Sequence, residues 1–186
     1  MKDLAQFLLK AGNLKKVHRS GWVREEIPEP ETVAEHSWRL AFLVMLLEDE
    51  LDAVDINKLL RMALIHDLTE AITGDIVIQR GTKQINDKNI DEEEKTIKEM
   101  VSGIENGNKV FRFWEEQAAE NSTGATREAN ILYQLGKIAT AWQALEYELA
   151  GADPKKLDEF WENAHAHVKE PIIGKLLEEL ESLRKK

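Results

Sequence analysis

Leu59-Leu60-Arg61-Met62-Ala63-Leu64-Ile65-His66-Asp67-Leu68-Thr69-Glu70 is the stretch on which the reading of this chain turns. Its apolar residues recur at three- and four-residue intervals, the period of an amphipathic helix, and a histidine and an aspartate stand side by side within that pattern. A carboxylate left unpaired among apolar neighbours costs on the order of several kcal/mol, so Asp67 calls for a cation or a hydrogen-bonding partner. Neighbouring helical residues lie ~100° apart around the axis, which lets His66 and Asp67 reach one ion beside the helix, near its end. Glu70 falls four residues after His66 and three after Asp67, on the same face. His36, on an earlier helix, offers a second imidazole if the two helices pack together.

Working outward, Asp55 or Asn57 caps this helix, and Thr73-Gly74-Asp75 ends it, Gly74 suiting a reversal of the chain. Upstream, Thr32 and Glu35 have the spacing of a capping box and start a helix running to about Leu51. Leu4, Phe7, Leu8, Ala11 and Leu14 form one face of a first helix, which ends near Gly21 in a connection carrying Pro28 and Pro30 and holding His18, Arg19 and Trp22. Downstream, Gln79 to Lys88 is polar and reads as a surface loop near the site, in the position of a lid. Helices are expected from Asp91 to Ile104, from Lys109 to Glu120 and, after a break at Asn121-Ser122-Thr123-Gly124, from Ala125 to Ala150. Asp153-Pro154 is a cap with a first-turn proline, beginning a helix that aligns Leu157, Phe160, Trp161 and Ala164, and a last helix follows Pro171. With no convincing alternating strand, the expectation is an all-α protein. It forms one domain over 1–186, with a core from about 14 to 151 and C-terminal helices from about 154 to 186.

Composition narrows the chemistry. The 35 acidic and 25 basic residues give a net charge of −10, which opposes any general affinity for nucleic acid, so a phosphate ligand must be met by local charges. There is no cysteine, which excludes thiolate metal sites and cysteine nucleophiles and leaves histidine and carboxylate as ligands. Such donors suit Mn, Co, Zn, Ni or Mg without choosing among them. The N-terminus carries an early acid, unlike a signal peptide, and no run approaches ~20 apolar residues, so a cytoplasmic protein without membrane contact is expected. No Walker loop, dinucleotide fingerprint or serine-hydrolase motif is present. Taken singly, His36, His66 and Asp67 read most simply as satisfied core or helix-end groups; the ordered combination favours a metal centre. His165 and His167, two apart, point to different faces, and Trp114, Trp142 and Trp161 sit at helical spacing as core or interface residues.

The segments Val17-His18-Arg19-Ser20-Gly21-Trp22, Pro30-Glu31-Thr32-Val33-Ala34-Glu35-His36-Ser37, Ile65-His66-Asp67-Leu68-Thr69-Glu70-Ala71, Thr73-Gly74-Asp75-Ile76 and Ala144-Leu145-Glu146-Tyr147-Glu148 together resemble the HD-domain metal-dependent phosphohydrolases. Within them, the match is to the 5′-deoxynucleotidase, oxetanocin-like subgroup, and it covers Leu14 to about Gly151. The resemblance implies a compact helical fold, usually a homodimer, that removes phosphate from (deoxy)ribonucleoside 5′-monophosphates with a divalent metal ion. By position, it implies that His36, His66 and Asp67 are metal ligands and that Glu70 is the acid or base acting on the attacking water. Asp75 is implied to read the sugar or assist the leaving oxygen, Arg19 to clamp the phosphate, and Trp22 to form part of the substrate wall. Arginine suits its role because its planar fork keeps its charge at any relevant pH.

The chain departs from the family in Tyr133-Gln134-Leu135-Gly136-Lys137-Ile138, where the family pattern carries a fourth ligand, an aspartate, at the position of Gly136. Three readings stay open: an active enzyme with three protein ligands, a nucleotide-binding or regulatory protein impaired in catalysis, or a chain altered at this position. The loop after Asp75 also lacks the proline often found there in the family.

Overall fold

The computed structural model describes residues 2–76, 87–118 and 125–184. Its helices are α1 (Lys2–Ala11), α2 (Ser20–Arg24), α3 (Val33–Leu46), α4 (Ile56–Ile65), α5 (Glu70–Thr73), α6 (Asp87–Val101), α7 (Gly107–Ala118), α8 (Arg127–Leu149), α9 (Pro154–His167) and α10 (Pro171–Arg184), with a 3₁₀ turn at Gly12–Lys16. The fold is all-α, as expected. Among the described residues no helix is long and apolar enough to cross a membrane. Most of the loop expected over Gln79–Lys88, and the break at Asn121–Gly124, lie outside the described residues; the charged helix begins at Asp87, earlier than Asp91.

The local caps behave as their residue types dictate. Thr32 Oγ1 accepts from the Glu35 amide (3.2 Å) while Glu35 Oε2 accepts from the Thr32 amide (2.7 Å), closing the capping box of α3. Asp55 caps α4 through the Lys58 amide (3.0 Å), and Asp153 caps α9 through the Lys155 amide (3.0 Å). Helix α3 ends at Leu46 and passes into turns, short of Leu51.

One correction bears on the site. His66 and Asp67 do not lie inside a helix: α4 stops at Ile65, and residues 66–69 form a turn leading into α5. The His66 ring Nδ1 bonds the Ala63 carbonyl (2.9 Å), the acceptor that a continued helix offers to the Asp67 amide. The following amides tighten to three-residue spacing, Leu68 to the Ile65 carbonyl and Glu70 to that of Asp67.

Two apolar clusters meet at this turn. The larger joins Leu40 and Val44 of α3, Leu59, Met62 and Ala63 of α4, Leu132, Leu135 and Ile138 of α8, Leu157 and Trp161 of α9, and Ile173 and Leu177 of α10. The smaller joins Leu14, Val33, Leu68, Ala71, Ile97, Met100, Val101 and Trp114. His36 thus lies between Val33 of one cluster and Leu40 of the other, and His66-Asp67 between Ala63 and Leu68. Polar side chains occupy the seam, and each is fixed by apolar anchors on both sides.

Candidate active site

His36 comes from the first turns of α3 and is 2% exposed; His66 and Asp67 come from the α4–α5 turn. One ligand atom from each of the three lies within 4.8 Å of the others, and the imidazole centroids are 5.4 Å apart. Because Ala63 offers only a carbonyl, His66 Nδ1 carries a proton, and its Nε2 faces Asp67 Oδ2 at 2.9 Å. Gln117 of α7 donates to the His66 carbonyl (3.2 Å), tying the turn to the neighbouring helix. Burial alone lowers the His66 pKa, but the Asp67 carboxylate overcomes it and the net shift is upward. Burial alone raises Asp67; His66 and Arg19 prevail and hold that carboxyl below its ordinary range. His36 is pushed well down by burial, Arg19 and the second imidazole. Two imidazoles and one carboxylate converging without a thiolate fit a divalent ion.

Arg19 enters from the other side. Segment 17–19 pairs with 31–33 in a short antiparallel bridge, Val33 N donating to Val17 O and Arg19 N to Glu31 O, each at 2.9 Å. This fixes the arginine opposite the trio, with Nη1 3.1 Å from Asp67 Oδ2 and Nε 4.0 Å from Asp75 Oδ2. His18, next door, is held by the Pro30 carbonyl through Nδ1 (2.8 Å). Asp75 Oδ2 accepts from the amide of Ser20, the first residue of α2 (2.7 Å). The reversal that brings Asp75 back is made at Gly74, whose φ of 74° is the left-handed region that glycine enters without a Cβ clash. Glu70 Oε2 is buried and without a hydrogen-bond partner. Burial and the carboxylates of Asp67 and Asp75 push its pKa up to about 10, so it keeps its proton at neutral pH. Burial also raises Asp75, against Arg19 and the Ser20 amide.

Trp22 is 1% exposed, packed against Tyr147 (5.2 Å between centroids) and Phe160 (4.2 Å). Its Nε1 donates to Glu31 Oε2 at 3.3 Å. The ring supports the site from beneath and offers little surface of its own. Glu31 was missed by the sequence reading: it is 5% exposed, its amide donates to the Tyr147 hydroxyl (2.6 Å), and burial pushes its carboxyl up to about 7 against the pull of Arg19 and the Trp22 indole. No local pattern announces it, because Tyr147 lies 116 positions away.

A pocket of about 140 Å³ is lined by Arg19, His36, His66, Asp67, Tyr133 and Gly136, among others. It adjoins a cavity of about 770 Å³, bordered by Arg19, Asp75, Phe160 and Asn163, with Arg19, Lys137 and Thr140 shared between the two. Helix α8 therefore brings Gly136 to the three candidate ligands, and a Cβ built on it meets nothing within 4 Å. His165 and His167 lie apart from this group, His165 beside Glu181 (3.5 Å) and His167 bonded to the Asn163 carbonyl (2.8 Å). Trp114 and Trp161 are core residues.

The family profile described as HD domain matches residues 11–180. Among curated proteins, 5′-deoxynucleotidase HDDC2 of Homo sapiens is 32% identical over 185 residues, covering 98% of this chain and 87% of that one. A conserved hypothetical protein from Pyrococcus furiosus superposes with a TM-score of 0.74 at 32% identity, covering 98% of this chain and 99% of the other. An HD-domain phosphohydrolase from Listeria innocua shares the fold with a TM-score of 0.74 at 19% identity, covering 98% and 90%. The matched range includes the turn that presents His66 beside Asp67, with His36 against it, and the chain belongs to the HD domain family.

Proposed function

We propose that this chain hydrolyses the phosphomonoester of deoxyribonucleoside 5′-monophosphates, working as one HD domain with a divalent ion held by His36, His66 and Asp67. The observation that carries this reading is the placement of the Arg19 guanidinium 3.1 Å from Asp67 and beside both imidazoles, at the junction of the small pocket and the larger cavity. When bound, the ion supplies a Lewis acid that polarises a phosphoryl oxygen and acidifies water near neutral pH. Arg19 grips the non-bridging oxygens and neutralises charge that grows on them. Glu70, three residues from Asp67 with Oε2 buried and unpartnered, serves as the acid or base that moves the proton of the attacking water. Asp75, steadied by the Ser20 amide, faces the sugar, and Trp22 keeps the floor of the cavity in place. The cavity of about 770 Å³ has room for sugar and base. A cytoplasmic homodimer completes the proposal; the apolar stripe of α3, with Trp38 (63% exposed) stacked on Phe42 and followed by Met45 and Leu46, is the face offered to a second copy.

The rival reading, a nucleotide-binding or regulatory protein impaired in catalysis, draws on Gly136, which brings no side chain to the pocket. The test is phosphate release from deoxy- and ribonucleoside 5′-monophosphates. It uses metal-stripped protein resupplied with Mn²⁺, Co²⁺, Zn²⁺, Ni²⁺ or Mg²⁺, its mass in solution measured alongside. Metal-dependent turnover falling by roughly 10³-fold in Asp67→Ala supports the proposal. Saturable nucleotide binding without turnover, restored by Gly136→Asp, establishes the rival, and a monomeric mass removes the dimer.

A further inference from the structure

We propose that Glu31 is the positioning carboxylate of His36: facing the ring's Nδ1, it holds the imidazole in the tautomer and orientation that direct Nε2 to the metal, and thereby sets metal affinity. This rests on the reading of His36 as a ligand. The His36 Nδ1 is buried and without a hydrogen-bond partner, and Glu31 Oε2 stands 3.9 Å from it. Glu31 Oε1 and Arg39 Nε, 3.8 Å apart, are likewise buried and without a partner. Three such atoms around one carboxylate form a concentration that folded proteins tolerate only where something completes it. The gap at 3.9 Å closes by a small side-chain rotation or by one bridging water.

Glu31 has little freedom to turn elsewhere. Its amide is held by the Tyr147 hydroxyl (2.6 Å), its carbonyl by the Arg19 amide (2.9 Å), and its Oε2 by the Trp22 indole (3.3 Å). Neither of its other neighbours requires a negative charge here. A neutral amide would serve the indole N–H equally well, and Arg39 is already matched by both oxygens of Glu146 (2.8 and 2.7 Å) and by Gln143 (2.9 Å). Besides the pull of Arg19 and of the Arg39 Nε at 3.8 Å, the group that the carboxylate faces is the unpartnered Nδ1 of His36. The two imidazoles are then placed differently: His66 gives its Nδ1 proton to a backbone carbonyl, whereas the His36 Nδ1 faces a side-chain carboxylate at 3.9 Å. A metal-bound histidine commonly donates its second N–H to such a partner, and losing the partner weakens metal binding ten- to hundredfold.

The experiment compares the parent chain, Glu31→Gln and His36→Ala for Co²⁺ affinity, by competition with a chromophoric chelator, and for urea unfolding of the metal-stripped protein. Glu31→Gln is expected to keep the parent's unfolding midpoint and to bind Co²⁺ at least tenfold more weakly, with an altered visible spectrum. Parent-like affinity and spectrum in Glu31→Gln overturn the proposal. Parent-like affinity in His36→Ala instead overturns the reading of His36 as a ligand. Should Glu31→Gln fail to fold, nitrogen NMR of the Zn²⁺-loaded parent decides: a proton on His36 Nδ1 with Nε2 coordinated supports the proposal, and coordination through Nδ1 overturns it.

Discussion

Glu31 and Glu148 invite comparison. Each is a buried carboxylate, each accepts the indole N–H of a tryptophan, and each faces an arginine. Glu148, at the corner where α8, α9 and α10 meet, is saturated. Its Oε1 takes the Trp161 Nε1 (3.1 Å), and the Arg184 Nε lies 3.0 and 2.9 Å from its two oxygens. Arg184 continues to Asp158 and to the Pro154 carbonyl, so every polar group in that corner has an answer within the chain. Glu31, at the seam of the two apolar clusters, has an oxygen without a partner and looks onto two more such atoms on His36 and Arg39. A buried polar group left unbonded costs ~1–3 kcal/mol, so the same residue types have been put to opposite uses. One corner closes the fold, and the other leaves polar atoms unmatched.

Arg184→Met sharpens the comparison most. It leaves Glu148 buried without its counter-charge and should lower stability by about 2–3 kcal/mol in urea unfolding, while Co²⁺ affinity stays at the parent value. A concurrent fall in metal affinity would show that the two corners are not separable. Glu70→Gln is expected to act on the pH dependence of stability. In the folded protein the Glu70 pKa is near 10, against an ordinary 4.5, so over that interval the folded state retains a proton that the unfolded chain has lost. Its contribution is therefore full below about 4.5 and disappears as pH rises through about 10, making the metal-stripped protein less stable with rising pH. In Glu70→Gln the slope of stability against pH should be shallower by about one proton; an unchanged slope would mean that Glu70 is ionised at neutral pH. Smallest is Gly136→Ala, which adds a methyl where nothing lies within 4 Å and removes glycine's backbone entropy from a helix interior. A gain of about 0.5–1 kcal/mol is expected from thermal unfolding, and a loss would mean that the pocket wall beside the ligands is tighter than its geometry indicates.

Short-range signals were readable from the chain, and long-range ones were not. Thr32 with Glu35, Asp55 and Asp153 act on amides two or three residues away, and each cap stands where its spacing placed it. The grouping of His36, His66 and Asp67 was also legible, because a charged pair in an apolar pattern needs partners. The end of α4 was not. Leu64, Leu68 and Ala71 continue the helical period across residues 66–69, while the His66 ring, a side-chain effect invisible to periodicity, takes the next carbonyl. Helix α2 is five residues long, too short to show a period at all. Gln134, whose Oε1 accepts from the amides of Lys169 and Glu170 at 2.6 and 2.7 Å, and Gln117, which holds the His66 carbonyl, draw their roles from partners 35 or more positions away. Trp22, expected at the substrate wall, borders the cavity of about 770 Å³ while only 1% exposed, because Tyr147 and Phe160, both distant in sequence, close over it.

The open space beside Gly136 also has a genetic meaning. Every glycine codon becomes an aspartate or glutamate codon through a single substitution at its second base. A Cβ here meets no atom within 4 Å outside its own stretch of helix, and the residue borders a pocket that is also lined by two imidazoles. If His36, His66 and Asp67 hold an ion as proposed, one base change at this codon would add a carboxylate beside them.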